Sequence, residues 1–284
     1  MAPGRLEAGT LWRRATMCAK QALEQGALQP IATDVIDFVE DEICFSVRLL
    51  GGLQHKIDAG RNQRATRANP FLPVEAALFV CDVSETHICV LNKFNVLDHH
   101  LLIVTRTFEE QQSLLTSNDF QALATCMAEF DALGFYNSGP VAGASQRHKH
   151  LQLVPVPIGA GPERVPVEAR LHAGTLPFEH AANRVDGRDA EAIEHVYHQH
   201  LESLALIDDR ETPAPYNFFT TREWMVTIPR RRERVDGIPL NALAFAGTLL
   251  VRNRSQLEGL RRLGALDLLT RAAGRAGHED GQQG

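Results

Sequence analysis

His148, His150 and Gln152 occupy alternate positions in the stretch running from Asn137 to Pro155. In an extended chain, successive side chains point to opposite faces. Two imidazoles and one amide would then share a surface, while Lys149, Leu151 and Leu153 line the other. A neutral imidazole is a competent nucleophile near pH 7, and the phosphoramidate it forms is easily cleaved again, so His150 is suited to covalent transfer at phosphorus. Just upstream, Gly139, Gly143 and Ala144 together with Ser145 make a small-residue loop whose backbone N–H groups can approach phosphate oxygens closely. Gln152 could donate to a non-bridging oxygen that gains charge during in-line transfer, and Ser145 could do so from the loop side. One such neutral donor is worth ~2–4 kcal/mol in the transition state. Taken alone, a His-x-His pair is more often a surface pair or half of a zinc site, and a Gly-rich loop is mostly a turn. No further His or Cys with a clear partner spacing stands nearby to complete a zinc site, and the conjunction of loop and histidines is what points to phosphorus chemistry.

The elements that must position this strand can be read from periodicity. Residues 10–28 carry Leu11, Ala15, Cys18, Ala19 and Leu23 at helical spacing. Residues 35–50 read as two strands separated by an acidic turn at Asp41 and Glu42, and the polar stretch 51–69, with Lys56, Arg61, Arg64 and Arg67, reads as a mobile basic loop. Three apolar runs follow at 76–83, 87–92 and 100–105, short consecutive strands that favour an antiparallel sheet. Residues 117–133 are expected to be a helix capped at Ser117 or Asn118 and terminated by Gly134. Residues 155–177 form a Pro/Gly-rich connector. After it come a helix at 190–206, a hairpin of 216–221 with 224–228, and an extended segment at 243–251. The tail from about residue 274 is Gly/Gln-rich and expected to be disordered.

Composition limits the classes available. With 284 residues, 44% hydrophobic and 23% charged, the chain has the make-up of an ordinary globular protein. A net charge of −6 offers no global attraction for nucleic acid or an anionic membrane, although a local pocket can still take an anionic small molecule. The five cysteines are scattered and lack CxxC pairing, no window is long and apolar enough to span a bilayer, and the N-terminus lacks a secretory pattern. A reducing cytoplasm is the expected location.

Other residues read more plainly. His195, His198 and His200 fit an exposed polar helix face better than a metal site. Of the cluster Arg230, Arg231, Arg232 and Arg234, one member could reach a phosphate while the rest are solvated. One of His99 and His100 is expected to be a structural hydrogen-bonding residue beside the site, and Trp224 to lie in the core.

The run GASQRHKHLQLVPVP, with NPFLP at 69–73, LNKFNVLDHHLLIVT at 91–105, FFTTREWMVTIPR at 218–230 and GIPLNALAFAGTLLVR at 237–252, resembles the His-x-His-x-Gln branch of the histidine triad superfamily. Within it, the chain is similar to the ATP adenylyltransferases, also called diadenosine tetraphosphate phosphorylases. The likeness runs from the first helix to about residue 270. Gln152 stands where the hydrolase branch carries a third histidine, which implies transfer to phosphate rather than to water.

The resemblance implies an α+β protein with a histidine-triad-like antiparallel sheet, flanking helices and a C-terminal α/β extension, divided into residues 1–165 and 175–275. It makes His150 the nucleophile, Gln152 a phosphate contact and His148 an orienting or leaving-side group. It maps the phosphate loop onto Gly143, Ala144, Ser145 and Gln146. Further nucleotide contacts fall on Lys56, Asn92, Lys93 and Asn137, with Phe218, Phe219, Thr220 and Met225 in the second sheet region. The implied ligands are diadenosine tetraphosphate, ATP, ADP and phosphate, with a divalent cation, magnesium, on the polyphosphate. A sugar-phosphate uridylyltransferase and a non-catalytic nucleotide- or zinc-binding module are the alternatives.

Overall fold

The computed structural model describes residues 4–51, 69–207 and 212–274. Lys56 with residues 52–68 of the expected basic loop, and the tail beyond 274, lie outside the described residues. The chain begins with α1 (Leu11–Glu24), β1 (Thr33–Glu40) and β2 (Ile43–Leu50), followed by β3 (Phe79–Asp82), β4 (His87–Leu91) and β5 (Leu101–Thr105). Then come α2 (Ser117–Met127), β6 (Ala132–Asn137), β7 (His150–Pro155), a short α3 (Glu168–His172), β8 (Ala181–Arg184) and α4 (Ala190–Ser203). The remainder is β9 (Tyr216–Thr220), β10 (Trp224–Pro229), the small pair β11 (Arg234–Val235) and β12 (Ile238–Pro239), α5 (Ala242–Phe245), β13 (Thr248–Val251), α6 (Arg254–Leu263) and α7 (Ala265–Ala273).

Eight strands form one antiparallel sheet in the order β3-β4-β5-β7-β6-β9-β10-β8. The expected α+β class and antiparallel sheet are therefore present. Because β6 pairs with β9, the sheet runs unbroken across the boundary expected between 165 and 175. A second, three-stranded sheet has the order β1-β2-β13, with β13 parallel to β2.

One face of the large sheet is sealed by helices. Leu151 and Leu153 of β7, Tyr136 of β6 and Phe218 and Met225 of the β9–β10 hairpin pack there against α1, α2 and α4 residues such as Ala15, Phe120 and Tyr197. The other face carries two apolar patches. Phe71, Val90, Leu102 and Val104 form one, and Phe135, Val154, Phe219 and Val226 belong to the larger core shared with the small sheet and α5–α7. β7 lies at the junction between them.

Several expected boundaries move. The helix read as 117–133 stops at Met127, because residues 132–137 form the central strand β6, buried at every position. Its cap is the preceding residue Thr116, whose backbone N–H donates to the Asp119 carboxylate at 2.7 Å. Gly134 terminates nothing. It lies inside β6, where a Cβ would come within 2.8 Å of Leu123 Cδ1, so its missing side chain lets α2 sit close on the sheet. Residues 243–251 divide into the end of α5 and the strand β13, the connector contains α3, and β8 follows it.

Candidate active site

Three strands converge on the histidines. β7 is flanked by β5, with Val104 opposite His150 and Leu102 opposite Gln152, and by β6, with Phe135 opposite Gln152. All three motif side chains are buried. Each imidazole has a decidable tautomer, because carbonyl oxygens can only accept. His150 Nδ1 lies 2.8 Å from the His148 carbonyl oxygen, so Nδ1 carries the hydrogen and the neutral ring keeps its lone pair on Nε2. His148 Nε2 lies 2.8 Å from the Thr105 carbonyl oxygen, and its Nδ1 accepts from Asn69 Nδ2 at 2.9 Å. Both nitrogens of His148 are therefore committed to the protein.

Gln152 is aimed in the same way. Its Oε1 accepts from His100 Nε2 at 3.0 Å, and His100 Nδ1 in turn lies 3.2 Å from Asn92 Nδ2. With Oε1 taken, the amide N–H2 of Gln152 is the end left to donate. Burial lowers the pKa of both His150 and His100 to about 4. For His150 the hydrogen bond to the His148 carbonyl opposes this, while for His100 the Gln152 bond opposes it and the neighbouring His150 adds to the lowering. His148 is also shifted down by burial. At neutral pH the nucleophile candidate is an uncharged ring whose Nε2 meets no hydrogen-bond partner among the described residues.

The glycine-rich loop is held from the C-terminal half. Asn137 Oδ1 accepts from Asn217 Nδ2 at 2.8 Å and from the Ala242 backbone N–H at 2.9 Å. Arg230, 3% exposed, donates from its guanidinium to the carbonyls of Ala142 and Leu240, both at 3.1 Å, and its charge sits 5.0 Å from the centre of the Phe245 ring. Gly143 adopts a φ of +92°, and a Cβ there would come within 2.4 Å of the Leu240 carbonyl oxygen. Within the loop, the Gly143 and Ala144 N–H groups close local turns onto Pro140 and Gly139. Among the described residues no hydrogen bond engages the Ser145 and Gln146 backbone N–H groups. Arg230 is thus a support for the loop. Its burial without a carboxylate partner lowers its pKa to about 9, opposed by Glu233.

The remaining expected contacts scatter. Phe219 stands on the His150 face, in register with Phe135 and so next in line after Gln152. Phe218, Thr220 and Met225 point to the opposite, helix-covered side. Phe218 and Met225 are in its core, and Thr220 is opposite Gly134 with its hydroxyl on the Thr221 and Trp224 carbonyls. These three are not brought to the histidines. Lys93 is paired with Glu75 at 2.7 Å. Asn92 acts through His100, as described. His200 is buried on Thr227 and Asn183 instead of lying on an exposed face, and Trp224 is in the core as expected. Among the described residues no group of three His, Cys, Asp or Glu side chains is placed to hold a metal ion. None of the described helices is long and apolar enough to cross a membrane.

Residues 1–173 match the family described as the Ap4A phosphorylase N-terminal domain, and residues 174–274 match the ATP adenylyltransferase C-terminal domain. The chain belongs to this family of nucleotidyltransferases. Similar proteins include diadenosine 5',5'''-P1,P4-tetraphosphate phosphorylase 2 of Saccharomyces cerevisiae, 28% identical over 72% of this chain and 75% of that protein. The fold matches the crystal structure of yeast Ap4A phosphorylase Apa2 with a TM-score of 0.79 at 21% identity, covering 96% of this chain and 98% of the other. The same yeast enzyme in complex with Ap4A matches with a TM-score of 0.78 at 20% identity, over 95% and 99% of the two chains. The family and enzyme class read from the motifs both hold.

Against this family background, sequence reading passed over Asn69, Phe71, Phe108, Gln111, Asn217 and the role of Arg230. Phe71 and Phe108 each place a ring centre 5.5–5.6 Å from that of His148, and Phe71 also lies 5.5 Å from His150. Phe71 carried a signal, since NPFLP is one of the family segments. Gln111 carried none.

Proposed function

We propose that the chain catalyses reversible phosphorolysis of diadenosine tetraphosphate to ATP and ADP through an adenylyl-histidine. His150 Nε2 attacks the α-phosphorus. The P–O bond to the remaining phosphates breaks, and ATP departs. An oxygen of inorganic phosphate then attacks the same phosphorus, the P–N bond breaks, and ADP leaves with the ring restored. Splitting one transfer into two lets a single site serve two acceptors in turn. The observation that carries this reading is the bond from His150 Nδ1 to the His148 carbonyl, which leaves Nε2 unprotonated in a buried, neutral ring.

The parts around it suit the charge that develops. Gln152 N–H2 and the amides of Ser145 and Gln146 can hold the non-bridging oxygens, while Phe71 and Phe108 offer aromatic surface for a purine. Magnesium supplies charge neutralisation to a polyphosphate. With no side-chain cluster to hold it among the described residues, it would arrive on the substrate's own oxygens. All five cysteines are free thiols, which suits a cytoplasmic setting.

The test is to incubate the protein with α-labelled dinucleotide and no acceptor. An acid-labile adduct should form on His150, be absent in His150→Ala, and be chased into ADP by phosphate. Full turnover by His150→Ala would overturn the mechanism.

A further inference from the structure

The ladder between β6 and β7 stops two pairs short. Its last rung is Phe135 with Gln152, and in the same register Tyr136 would face Leu151 and Asn137 would face His150. Both strands remain paired on their outer sides at that point, Asn137 with Asn217 of β9 and His150 with Val104 of β5. The gap between them is filled by one side chain from elsewhere. Gln111 Oε1 accepts from the His150 backbone N–H at 2.8 Å, and Gln111 Nε2 donates to the carbonyls of His150 and Asn137 at 3.1 and 3.0 Å. A carboxamide has the donor and acceptor of a peptide group, which lets it stand in for a missing length of strand.

Gln111 is itself held firmly. It is 2% exposed, its backbone N–H donates to the Arg147 carbonyl at 2.7 Å, and its carbonyl accepts from the Tyr136 hydroxyl. The segment that carries it runs beside the approach to β7, with Lys149 N–H on the Glu109 carbonyl at 2.8 Å and Glu110 bridged to His148.

We infer that Gln111 is a positioning residue for the transfer: it fixes the main chain of His150 where strand pairing lapses, and so aims the ring and sets its tautomer. The inference rests on His150 being the nucleophile. By parting β6 from β7 at this point, the protein separates the nucleophile from the loop after Asn137 without letting either move.

The test compares Gln111→Met, which keeps volume without polarity, with Gln111→Asn, one methylene too short to reach both strands. In each, kcat for phosphorolysis and the rate of adduct formation should fall ~100-fold, as for a nucleophile displaced by about 1 Å. KM and AMP affinity should stay within about threefold. A second readout needs no turnover. With ring-labelled histidine and no nucleotide, His150 should show distinct protonated Nδ1 and unprotonated Nε2 signals in the unsubstituted protein, drawn together by tautomer exchange in both variants. Wild-type tautomer signals in both variants, or unchanged kcat, overturn the inference. So does failure of both to fold, which would make Gln111 a residue of the fold alone. If the unsubstituted protein shows no phosphorolysis but the ring signals respond as stated, the functional reading fails and the positioning role stands.

Discussion

The two faces of the strand that starts at His150 solve the burial of polar groups in opposite ways. On the helix side, Lys149 is 1% exposed, with its ammonium 2.9 Å from Glu109 and 3.0 Å from Asp119, and Asp119 also meets His87 at 3.0 Å. Burial pushes the Asp119 carboxyl upward, but His87 and Lys149 outweigh it and hold the carboxyl below its usual range. That face keeps its charges and pairs them. On the other face, His148, His150 and His100 are hydrogen-bonded to carbonyls, a hydroxyl and amides, and no carboxylate among the described residues bonds to any of them. Without a counter-charge, desolvation decides, and the rings stay neutral. In the proposed mechanism, the absence of an acid beside His150 matters as much as what is present.

Removing the neutral ring is the strongest way to break the comparison. His150→Ala should lower phosphorolysis by ~10⁴-fold or more, with a denaturation midpoint close to that of the unsubstituted protein, since only the chemistry is lost. On the opposite face the effect should be on stability. Lys149→Met leaves Asp119 with an uncompensated share of charge and should cost ~3–5 kcal/mol in chemical denaturation. A loss below about 1 kcal/mol would show that the charged face is not the paired network described.

Next come the donors. Gln152→Ala should lower kcat by ~10²-fold, as for removal of one oxyanion donor. His100→Phe should lower it less, and the two changes together should do little more than Gln152→Ala alone, because His100 acts through the amide. Simple additivity in that double-mutant cycle would count against the relay from Asn92 through His100 to Gln152.

A last test sharpens the contrast through pH. The ring must be unprotonated to attack, and burial has pulled its pKa to about 4 from an ordinary 6.5. Profiles of kcat/KM should therefore stay level as pH falls from 8 to 5. A ring titrating at 6.5 would already have lost roughly tenfold at pH 5.5. The sign for stability follows from the same shift. Below pH 6.5 the unfolded rings take up protons that the folded ones refuse until about 4, so His100, His150 and His200 each withdraw stability over that window, by about 1.4 kcal/mol per pH unit. A stability that rises on acidification through this range would contradict their burial as neutral rings.

How much of this could be read from the sequence depended on range. The alternation of His148, His150 and Gln152 is a two-residue period, and it put the right side chains on one face. The same local logic failed at β6, because Phe130 and Leu133 prolong the helical spacing of α2, and a central strand buried on both faces shows no alternation to contradict it. Phe218 and Phe219 are neighbours in the chain, yet the strand sends only Phe219 to the histidine face. The supports were illegible for a different reason. Gln111 reaches the site across 39 residues, and Arg230 reaches the loop across 88, and nothing in either local sequence marks the destination.

The glycine-rich loop is tied to Arg230 and beside it Asn137 to the Ala242 amide, with Gly143 close on the Leu240 carbonyl, all made long after His150. During synthesis on the ribosome, His150 thus emerges well before these supports exist. On the proposed mechanism, a nascent chain cut short before residue 242 should carry the histidine without turning over nucleotide.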